Sequence, residues 1–280
     1  MKIYTDIEQL REAIRHTKRP LGIVPTMGYL HKGHLELIRH SKNENESLVV
    51  TIFVNPTQFG PDEDFRRYPK KIDQDINLLE KIGVDFVFIP DSESIYNKSH
   101  ETWVTVEQLS TKLEGQFRPN HFKGVTTIVL KLLNITTPDN AYFGQKDAQQ
   151  VKIIQQMVRD LNLPVVIKSI PTVREHDGLA FSSRNIYLSR DERKSANEIY
   201  KGLIIGKELF KNGTISSKEI KESVTKHILS GIKNSKIDYI SIASDDTFEE
   251  INVIKDSALL SIAIHLGKTR LIDNIILEQK

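Results

Sequence analysis

The 280-residue sequence contains no cysteine. This absence excludes disulfide bonds, thiolate nucleophiles, zinc fingers and iron–sulfur clusters held by cysteine, and it agrees with a reducing compartment. No apolar run approaches the roughly 20 residues that a membrane-spanning helix needs. Residues 1–6 also lack the apolar segment of a signal peptide. We therefore expect a cytoplasmic protein without a membrane partner.

A strong charge of one sign is also missing. The formal net charge is +2, from 39 Lys and Arg against 37 Asp and Glu. A surface that binds nucleic acid would need a strong basic bias, so we expect no nucleic-acid partner. The hydrophobic fraction of 39% and the charged fraction of 27% are ordinary for a globular protein. The length is sufficient for two modest domains.

Apolar runs alternate with amphipathic segments through the first two-thirds of the chain. This alternation predicts a mainly parallel sheet with helices on both faces, in which ligands bind at the carboxyl ends of the strands. The later pattern predicts a smaller α+β domain, so we divide the chain into domains 1–174 and 175–280. The predicted strands are residues 21–24, 48–54, 86–89, 141–143, 165–170, 237–243, 258–265 and 271–277. The predicted helices are residues 7–16, 35–40, 72–81, 125–133, 151–161, 191–209 and 217–229.

The most informative segment is residues 25–34, Pro-Thr-Met-Gly-Tyr-Leu-His-Lys-Gly-His. It joins a predicted buried strand to a predicted helix, and unpaired N–H groups at a helix N-terminus attract anions. His31 and His34 share one face if the helix has begun there, and imidazole can donate to phosphate oxygens. The alternatives are a surface pair or half of a metal site, although no third ligand stands at a familiar metal spacing.

Two later segments carry groups that suit anions. Ser182, Ser183 and Arg184 combine two hydroxyls with a guanidinium, but the same residues also fit a helix N-cap beside a solvated arginine. Lys146 can reach a phosphate as a point charge, or it can be an exposed side chain beside Asp147 as a helix cap.

Neutral amides and further loops complete the set of polar candidates. Gln58 and Gln150 each both donate and accept, which suits a hydroxy acid, although an ordinary surface position is the alternative. Residues 118–124 form a basic loop that could close over anions or serve as a turn and helix cap. For the adjacent His176 and Asp177 we favour a structural turn over an acid–base pair.

Taken together, these segments resemble the pantothenate synthetase family. Five of them, residues 25–34, 55–59, 118–124, 143–150 and 177–185, follow the family's order and approximate spacing, and residues 269–274, Thr-Arg-Leu-Ile-Asp-Asn, resemble the family's C-terminal end. The likeness extends from about residue 20 to the C-terminus. It implies a Rossmann-like N-terminal domain and a smaller α+β C-terminal lid domain.

The resemblance implies a ligase that joins pantoate to β-alanine in two steps. ATP first adenylates the pantoate carboxylate and releases pyrophosphate, and β-alanine then attacks the pantoyl adenylate and releases AMP. It implies that Mg²⁺ is carried mainly by phosphate oxygens, with no protein metal ligands. The family is usually homodimeric, so we expect a homodimer.

The resemblance also implies roles for individual residues. His34 would be the proton donor that stabilises phosphate charge, with His31, Lys146 and Arg184 as further catalytic groups. Gln58 and Gln150 would hold pantoate. The implied ATP-binding residues are Met27, Gly28, Tyr29, Leu30, His31, Lys32, Gly33, His34, Gly144, Gln145, Lys146, Asp147, Val173, Phe181, Ser182, Ser183 and Arg184.

The chain departs from the family pattern at four positions. Tyr29 stands where a small or amide residue is expected, and Lys32 where an acid is usual. Asn120 replaces the usual glycine, and because asparagine tolerates positive φ the turn can survive. Gln145 replaces the usual glutamate.

Two other functions are compatible with parts of this pattern. One is an adenylyl-transferring enzyme of the same architecture that acts on a different acid, and Gln58 and Gln150 argue against it. The other is a catalytically idle nucleotide-binding or assembly protein. The joint presence of His34, Lys146 and Arg184 argues against that interpretation.

Overall fold

The chain divides into two units, and neither is one continuous stretch of sequence. The computed structural model describes residues 1–279. The first unit comprises Met1–Ser110, Arg118–Gln145 and Gln150–Pro171, and the second comprises Thr111–Phe117, Lys146–Gln149 and the chain from Thr172 onward. Two short segments that precede residue 150 thus belong to the second unit. The domain division between residues 174 and 175 stays a prediction.

A six-stranded sheet forms the centre of the first unit, and all its strand pairs are parallel. The strand order is β1–β4–β3–β2–β5–β6. The parallel pairing is what the alternation of strand and helix patterns predicts. Only β1 was not predicted, because it has three residues and pairs with β4 alone. The strands are β1 (Lys2–Tyr4), β2 (Leu21–Thr26), β3 (Ser47–Ile52), β4 (Phe86–Phe88), β5 (Asn140–Gly144) and β6 (Val166–Ile170).

Helices cover both faces of this sheet. Ile23 of β2 lies in a core with residues of α1, α6 and α7, whereas its neighbour Val24 lies in a second core with residues of α2 and α3. Each such side chain contributes about 1.5–3 kcal/mol when it is fully buried, so the sheet is stabilised from both sides. The helices up to residue 160 are α1 (Ile7–Arg15), α2 (Lys32–Glu44), α3 (Ile72–Ile82), α4 (Ser92–Ile95), α5 (Glu114–Phe117, in the second unit), α6 (His121–Thr136) and α7 (Ala148–Asp160).

Between Thr172 and Gln279 the second unit contains three α-helices and an antiparallel sheet of order β7–β8–β9 around its own core. Ser189 and Ser216 are the N-caps of α8 and α10. The predicted α/β class with a smaller α+β part is confirmed. The elements are α8 (Arg190–Ser195), α9 (Glu198–Lys211), α10 (Ser217–Gly231), β7 (Ser235–Ala243), β8 (Ser257–Leu266) and β9 (Thr269–Glu278).

Some helix boundaries differ from the sequence predictions. The helix predicted over residues 191–209 is wrong, because α8 ends at Ser195 before α9 begins. The Ser195 hydroxyl donates to the carbonyls of Asp191 and Glu192, at 3.3 and 3.1 Å, and so competes with backbone donors at the break. Among residues 1–279, no helix is both long and apolar enough to cross a bilayer.

Candidate functional site

The turn between β2 and α2, residues 27–31, has an unusual backbone. Gly28 has φ +80° and Tyr29 has φ +51°, so two successive residues lie in the left-handed region. The Thr26 hydroxyl donates to the Thr51 carbonyl at 2.7 Å and accepts from the Gly28 N–H at 3.1 Å. This hydroxyl therefore fixes the start of the turn to the neighbouring strand β3.

Asp75 of α3 lies beneath this turn. Its carboxylate accepts the backbone N–H groups of Tyr29 and Leu30, each at 2.8 Å, and it is only 2% exposed. Burial raises the pKa of Asp75, while the two backbone N–H groups act in the opposite direction. A Cβ at Gly28 would lie 3.1 Å from the Asp75 carboxylate. Asp75 was not predicted as a site residue. The only signal for it in the sequence is its place as an acidic residue in the first turn of a helix far along the chain.

His31 and His34 cap α2 reciprocally. His31 is the N-cap, its Nδ1 accepts from the Gly33 N–H at 3.2 Å, and the His31 N–H donates to His34 Nδ1 at 3.3 Å. The rings stack with centroids 4.0 Å apart. Because both Nδ1 atoms accept, the neutral rings carry their hydrogen on Nε2. The helix thus begins with two imidazole donors on one face, preceded by Leu30 and followed by Lys32 as the first helical residue.

Gln58 follows β3 and lies against the same turn. It ends a 3₁₀ turn, Pro56–Gln58, which we call the Gln58 turn. Its Nε2 contacts the Met27 sulfur at 3.2 Å, and its Oε1 accepts from Asn55 Nδ2 at 3.1 Å. The Gln58 amide therefore adjoins the segment that carries the histidines.

The N-terminus of α6 supports the Gln58 turn. His121 Nδ1 lies 2.8 Å from the Gln58 carbonyl oxygen, and Gly124 is so close that a Cβ there would lie 2.4 Å from the Thr57 carbonyl oxygen. Asn120 has φ +65°, the conformation that we expected asparagine to tolerate. Arg118 pairs with Glu63 at 2.7 Å. Residues 118–124 thus support the turn and begin a helix.

Three of the predicted loops follow strands β2, β3 and β5, which are neighbours in the sheet. Strand β2 lies between β3, which follows it in sequence, and β5 on its other side, so the strand order reverses at β2. Ligands bind at such a switch point in open α/β sheets. Gly144 ends β5, and the Gln145 side chain accepts from the Ser169 hydroxyl at 2.8 Å. Gln150 lies in the first turns of α7.

Lys146 and Asp147 belong to the second unit. They lie in a 3₁₀ turn that leads into α7. Lys146 Nζ lies 3.6 Å from the Asp147 carboxylate, and the Lys146 carbonyl accepts from Asn274 Nδ2 at 2.9 Å. The turn is thus attached to β9 through its main chain.

The loop over residues 172–189 carries the other predicted anion-binding residues of the second unit. The Phe181 N–H donates to the Val173 carbonyl at 3.1 Å. Ser182 is an N-cap, because its hydroxyl accepts from the Arg184 N–H at 3.2 Å, and Ser183 is buried. The Ser182 cap agrees with the N-cap alternative, and an anion-binding role for these residues stays a prediction.

Arg193 holds the preceding part of this loop. Its guanidinium donates to Asp177 at 2.7 Å and to Glu175 at 2.8 Å, and it holds the pKa of the Asp177 carboxyl below its ordinary value. His176 and Asp177 lie in a turn, as we favoured. Within residues 1–279 no group of three or more His, Asp or Glu side chains is placed to hold a metal ion.

A parallel α/β sheet whose central strand leads into a helix capped by two histidines defines a Rossmann-like enzyme of the nucleotide-binding class. The family model described as pantoate-beta-alanine ligase matches residues 2–276. The chain belongs to this family. The predicted family and the predicted enzyme class, a ligase, are confirmed.

Relatives of known name match over the full chain. Pantothenate synthetase of Caldicellulosiruptor bescii is 48% identical over 283 residues, covering 100% of both chains. That of Acetivibrio thermocellus is 50% identical over 281 residues, covering 99% of this chain and 100% of the relative. The crystal structure of pantothenate synthetase from Thermus thermophilus matches with a TM-score of 0.96 at 40% identity, covering 100% of both chains.

A second solved structure is described with ligands. The pantoate-beta-alanine ligase from Francisella tularensis, complexed with beta-gamma ATP and beta-alanine, matches with a TM-score of 0.82 at 35% identity. The match covers 100% of this chain and 99% of that one.

Proposed function

We propose that this chain condenses (R)-pantoate with β-alanine, using ATP, to give pantothenate, AMP and pyrophosphate through a pantoyl adenylate. One observation carries the proposal at the level of the site. The Gln58 amide, which we assign to pantoate, lies 3.2 Å from the sulfur of Met27, in the turn that we assign to ATP. An acid held by Gln58 would therefore lie beside the turn that leads to His31 and His34.

The first step needs several hydrogen-bond donors close to the reacting phosphate. A pantoate carboxylate oxygen attacks the α-phosphorus, the new O–P bond forms, and the bond to the β-phosphate oxygen breaks as pyrophosphate leaves. Two anions approach each other, so the site must stabilise the growing charge. His34 Nε2 donates to the phosphate oxygens, His31 supports the same group, and the first N–H groups of α2 add their partial charge.

Further charge comes from residues of the second unit. We assign Lys146 and Arg184 to the triphosphate as cations, Ser182 and Ser183 as neutral donors, and the Val173 backbone to adenine. We propose that Mg²⁺ reaches the site with ATP, held mainly by phosphate oxygens, since Mg²⁺ gives up its waters reluctantly. When bound it neutralises phosphate charge.

The second step is an acyl transfer without a covalent enzyme intermediate. The neutral β-alanine nitrogen attacks the acyl carbon, a C–N bond forms, the C–O bond to AMP breaks, and the nitrogen loses a proton. Gln58 and Gln150 hold the hydroxyl and carboxyl oxygens of pantoate. The adenylate must be kept from water, for which we assign the part after residue 174 as a lid.

Other parts of the proposal rest on the family resemblance. We propose a homodimer, which the molecular mass in solution tests directly. We also propose a cytoplasmic location, supported by the use of ATP as a substrate.

A two-stage assay tests the proposed function. The protein is mixed with ATP, Mg²⁺ and D-pantoate, and pyrophosphate is measured before β-alanine is added and AMP is measured. We expect pyrophosphate to depend on pantoate, and AMP and pantothenate to appear with β-alanine. Pyrophosphate release that does not depend on pantoate would indicate that the substrate is a different acid. The absence of turnover with any acid would contradict an enzymatic role.

A further inference from the structure

Strand β9 carries three polar residues whose partners lie in other segments of the second unit. They are Arg270, Asp273 and Asn274, within the Thr-Arg-Leu-Ile-Asp-Asn sequence at residues 269–274. No role in the proposed reaction has been assigned to them. Asp273 and Asn274 are 3% and 6% exposed, so neither is an ordinary surface side chain.

Asn274 fixes the main chain at Lys146. Its Nδ2 donates to the Lys146 carbonyl at 2.9 Å. This bond joins residues that are 128 positions apart, and its acceptor belongs to the residue that we assign to the triphosphate. The bond holds the backbone from which the Lys146 side chain extends.

Asp273 fixes the loop that begins at Val173. Its carboxylate accepts hydrogen bonds from both terminal nitrogens of Arg174, at 2.6 and 2.9 Å. Arg174 also donates to the Gly178 carbonyl at 3.1 Å and lies 3.8 Å from the Tyr200 ring centroid. Planar, bidentate pairs of this kind define an orientation as well as a distance. Asp273 therefore fixes the residue that immediately follows Val173.

Arg270 supports the Lys146 segment from its other end. It donates to both oxygens of Glu114, at 2.7 and 2.8 Å. The Glu114 N–H donates to the Gln149 side chain at 3.0 Å, and Gln149 in turn donates to the Lys112 carbonyl at 2.8 Å. The Lys146–Gln149 segment is thus held at both ends by residues connected to β9.

We propose that Asp273 and Asn274 are positioning residues for ATP. Asn274 positions Lys146, and Asp273 positions Val173 through Arg174. Because Asp273 and Asn274 are neighbours on one strand, they fix the two segments relative to each other. This inference rests on the proposed function, which assigns Lys146 and Val173 to ATP. A displacement of about 1 Å at such groups can lower a rate by about 100-fold, so buried anchors of this kind matter for binding and rate.

The test uses the full chain with Asn274→Ala and the milder Asn274→Ser, neither of which leaves a donor that reaches Lys146. The control is Ser261→Ala, since Ser261 is buried on β8 directly opposite Asn274. We expect the KM for ATP to rise about fivefold or more, as the loss of one buried hydrogen bond implies. The KM values for pantoate and β-alanine should stay within about twofold, and the control should match the wild type in all three.

A purely structural role gives a different pattern. If these substitutions only reduce the folded fraction, kcat falls and all three KM values stay unchanged, which would overturn the inference. Absence of turnover in the wild type would instead contradict the proposed function.

Discussion

The carboxylate of Asp75 accepts the backbone N–H of Tyr29 at 2.8 Å, across 46 positions of sequence. Tyr29 has φ +51°, a conformation that costs a residue with a Cβ about 1–2 kcal/mol. The buried carboxylate stabilises that conformation, and Leu30 adds a second backbone N–H. The shape of the turn before the two histidines is therefore set by a residue of another helix.

The substitution Asp75→Asn tests this relationship. Asparagine offers one acceptor oxygen and turns an NH2 group toward the second backbone N–H, so one hydrogen bond is lost and a repulsive contact replaces it. We expect kcat/KM for ATP to fall at least about tenfold, because small displacements of catalytic groups are costly. Steady-state kinetics with varied ATP provide the measurement.

Asp73→Asn is the matched control for that variant. Asp73 lies in the same first turn of α3 and is exposed, so its neutralisation changes the charge at this helix end without touching the turn. It should leave kcat/KM near the wild-type value. Equal losses in both variants would mean that net charge at this helix, and not the hydrogen bonds to Tyr29 and Leu30, governs the activity.

Two substitutions at His34 separate its capping role from its proposed catalytic role. Asparagine can place an oxygen where Nδ1 of His34 accepts the His31 N–H, but it has nothing in place of Nε2. We expect His34→Asn and His34→Ala both to slow pyrophosphate formation at least about tenfold. Only His34→Ala should also lose about 1 kcal/mol of stability, the typical effect of a lost cap. A wild-type rate in His34→Asn would contradict a role for Nε2.

Local sequence was sufficient to predict the turn that carries these histidines. A buried strand, a glycine and an apolar helical pattern are contiguous there, so periodicity and turn chemistry indicate the element without tertiary information. Asn120 is a similar case, since its tolerance of positive φ is a property of the residue itself. The parallel direction of the strands also followed from sequence, through the alternation of strand and helix patterns.

The supporting residues could not be predicted in this way. Asp75 and Asp273 act on backbone or side chains 46 and 99 positions away, and no periodic pattern relates such positions. The break between α8 and α9 follows Ser195, and nothing in the helical pattern over residues 191–209 marks it. Sequence thus indicated the groups proposed to meet substrate more readily than the groups that hold them.

Gly124→Ala should perturb the proposed pantoate site selectively. A Cβ there would lie 2.4 Å from the Thr57 carbonyl oxygen, so the Gln58 turn or α6 must shift. We expect the KM for pantoate to rise about fivefold or more, with a loss of about 1–3 kcal/mol in stability from overpacking. Gly60→Ala is the control, because its nearest neighbour would be Glu63 Oε1 at an ordinary 3.5 Å. An unchanged KM for pantoate in Gly124→Ala would mean that Gln58 does not contribute to pantoate binding.

The ion pair between Asp177 and Arg193 predicts a specific pH dependence of stability. Arg193 holds the pKa of Asp177 below its ordinary value of 3.8, so the native state favours the ionised carboxylate more than the unfolded chain does. The stabilisation is therefore fully present above pH 3.8 and is lost as pH falls through the lowered native pKa.

Asp177→Asn should accordingly be less stable than the wild type at neutral pH, by about 0.5–1 kcal/mol for a partly exposed pair. The difference in the free energy of unfolding should stay constant down to about pH 4 and shrink below it, because protonation removes the same charge from the wild type. Urea unfolding across this pH range provides the measurement. Asp191→Asn, whose carboxylate is almost fully exposed and 4.0 Å from Lys194, should show little difference at any pH. A gap for Asp177→Asn that persists unchanged into strong acid would mean that shape, and not the charge on Asp177, stabilises this loop.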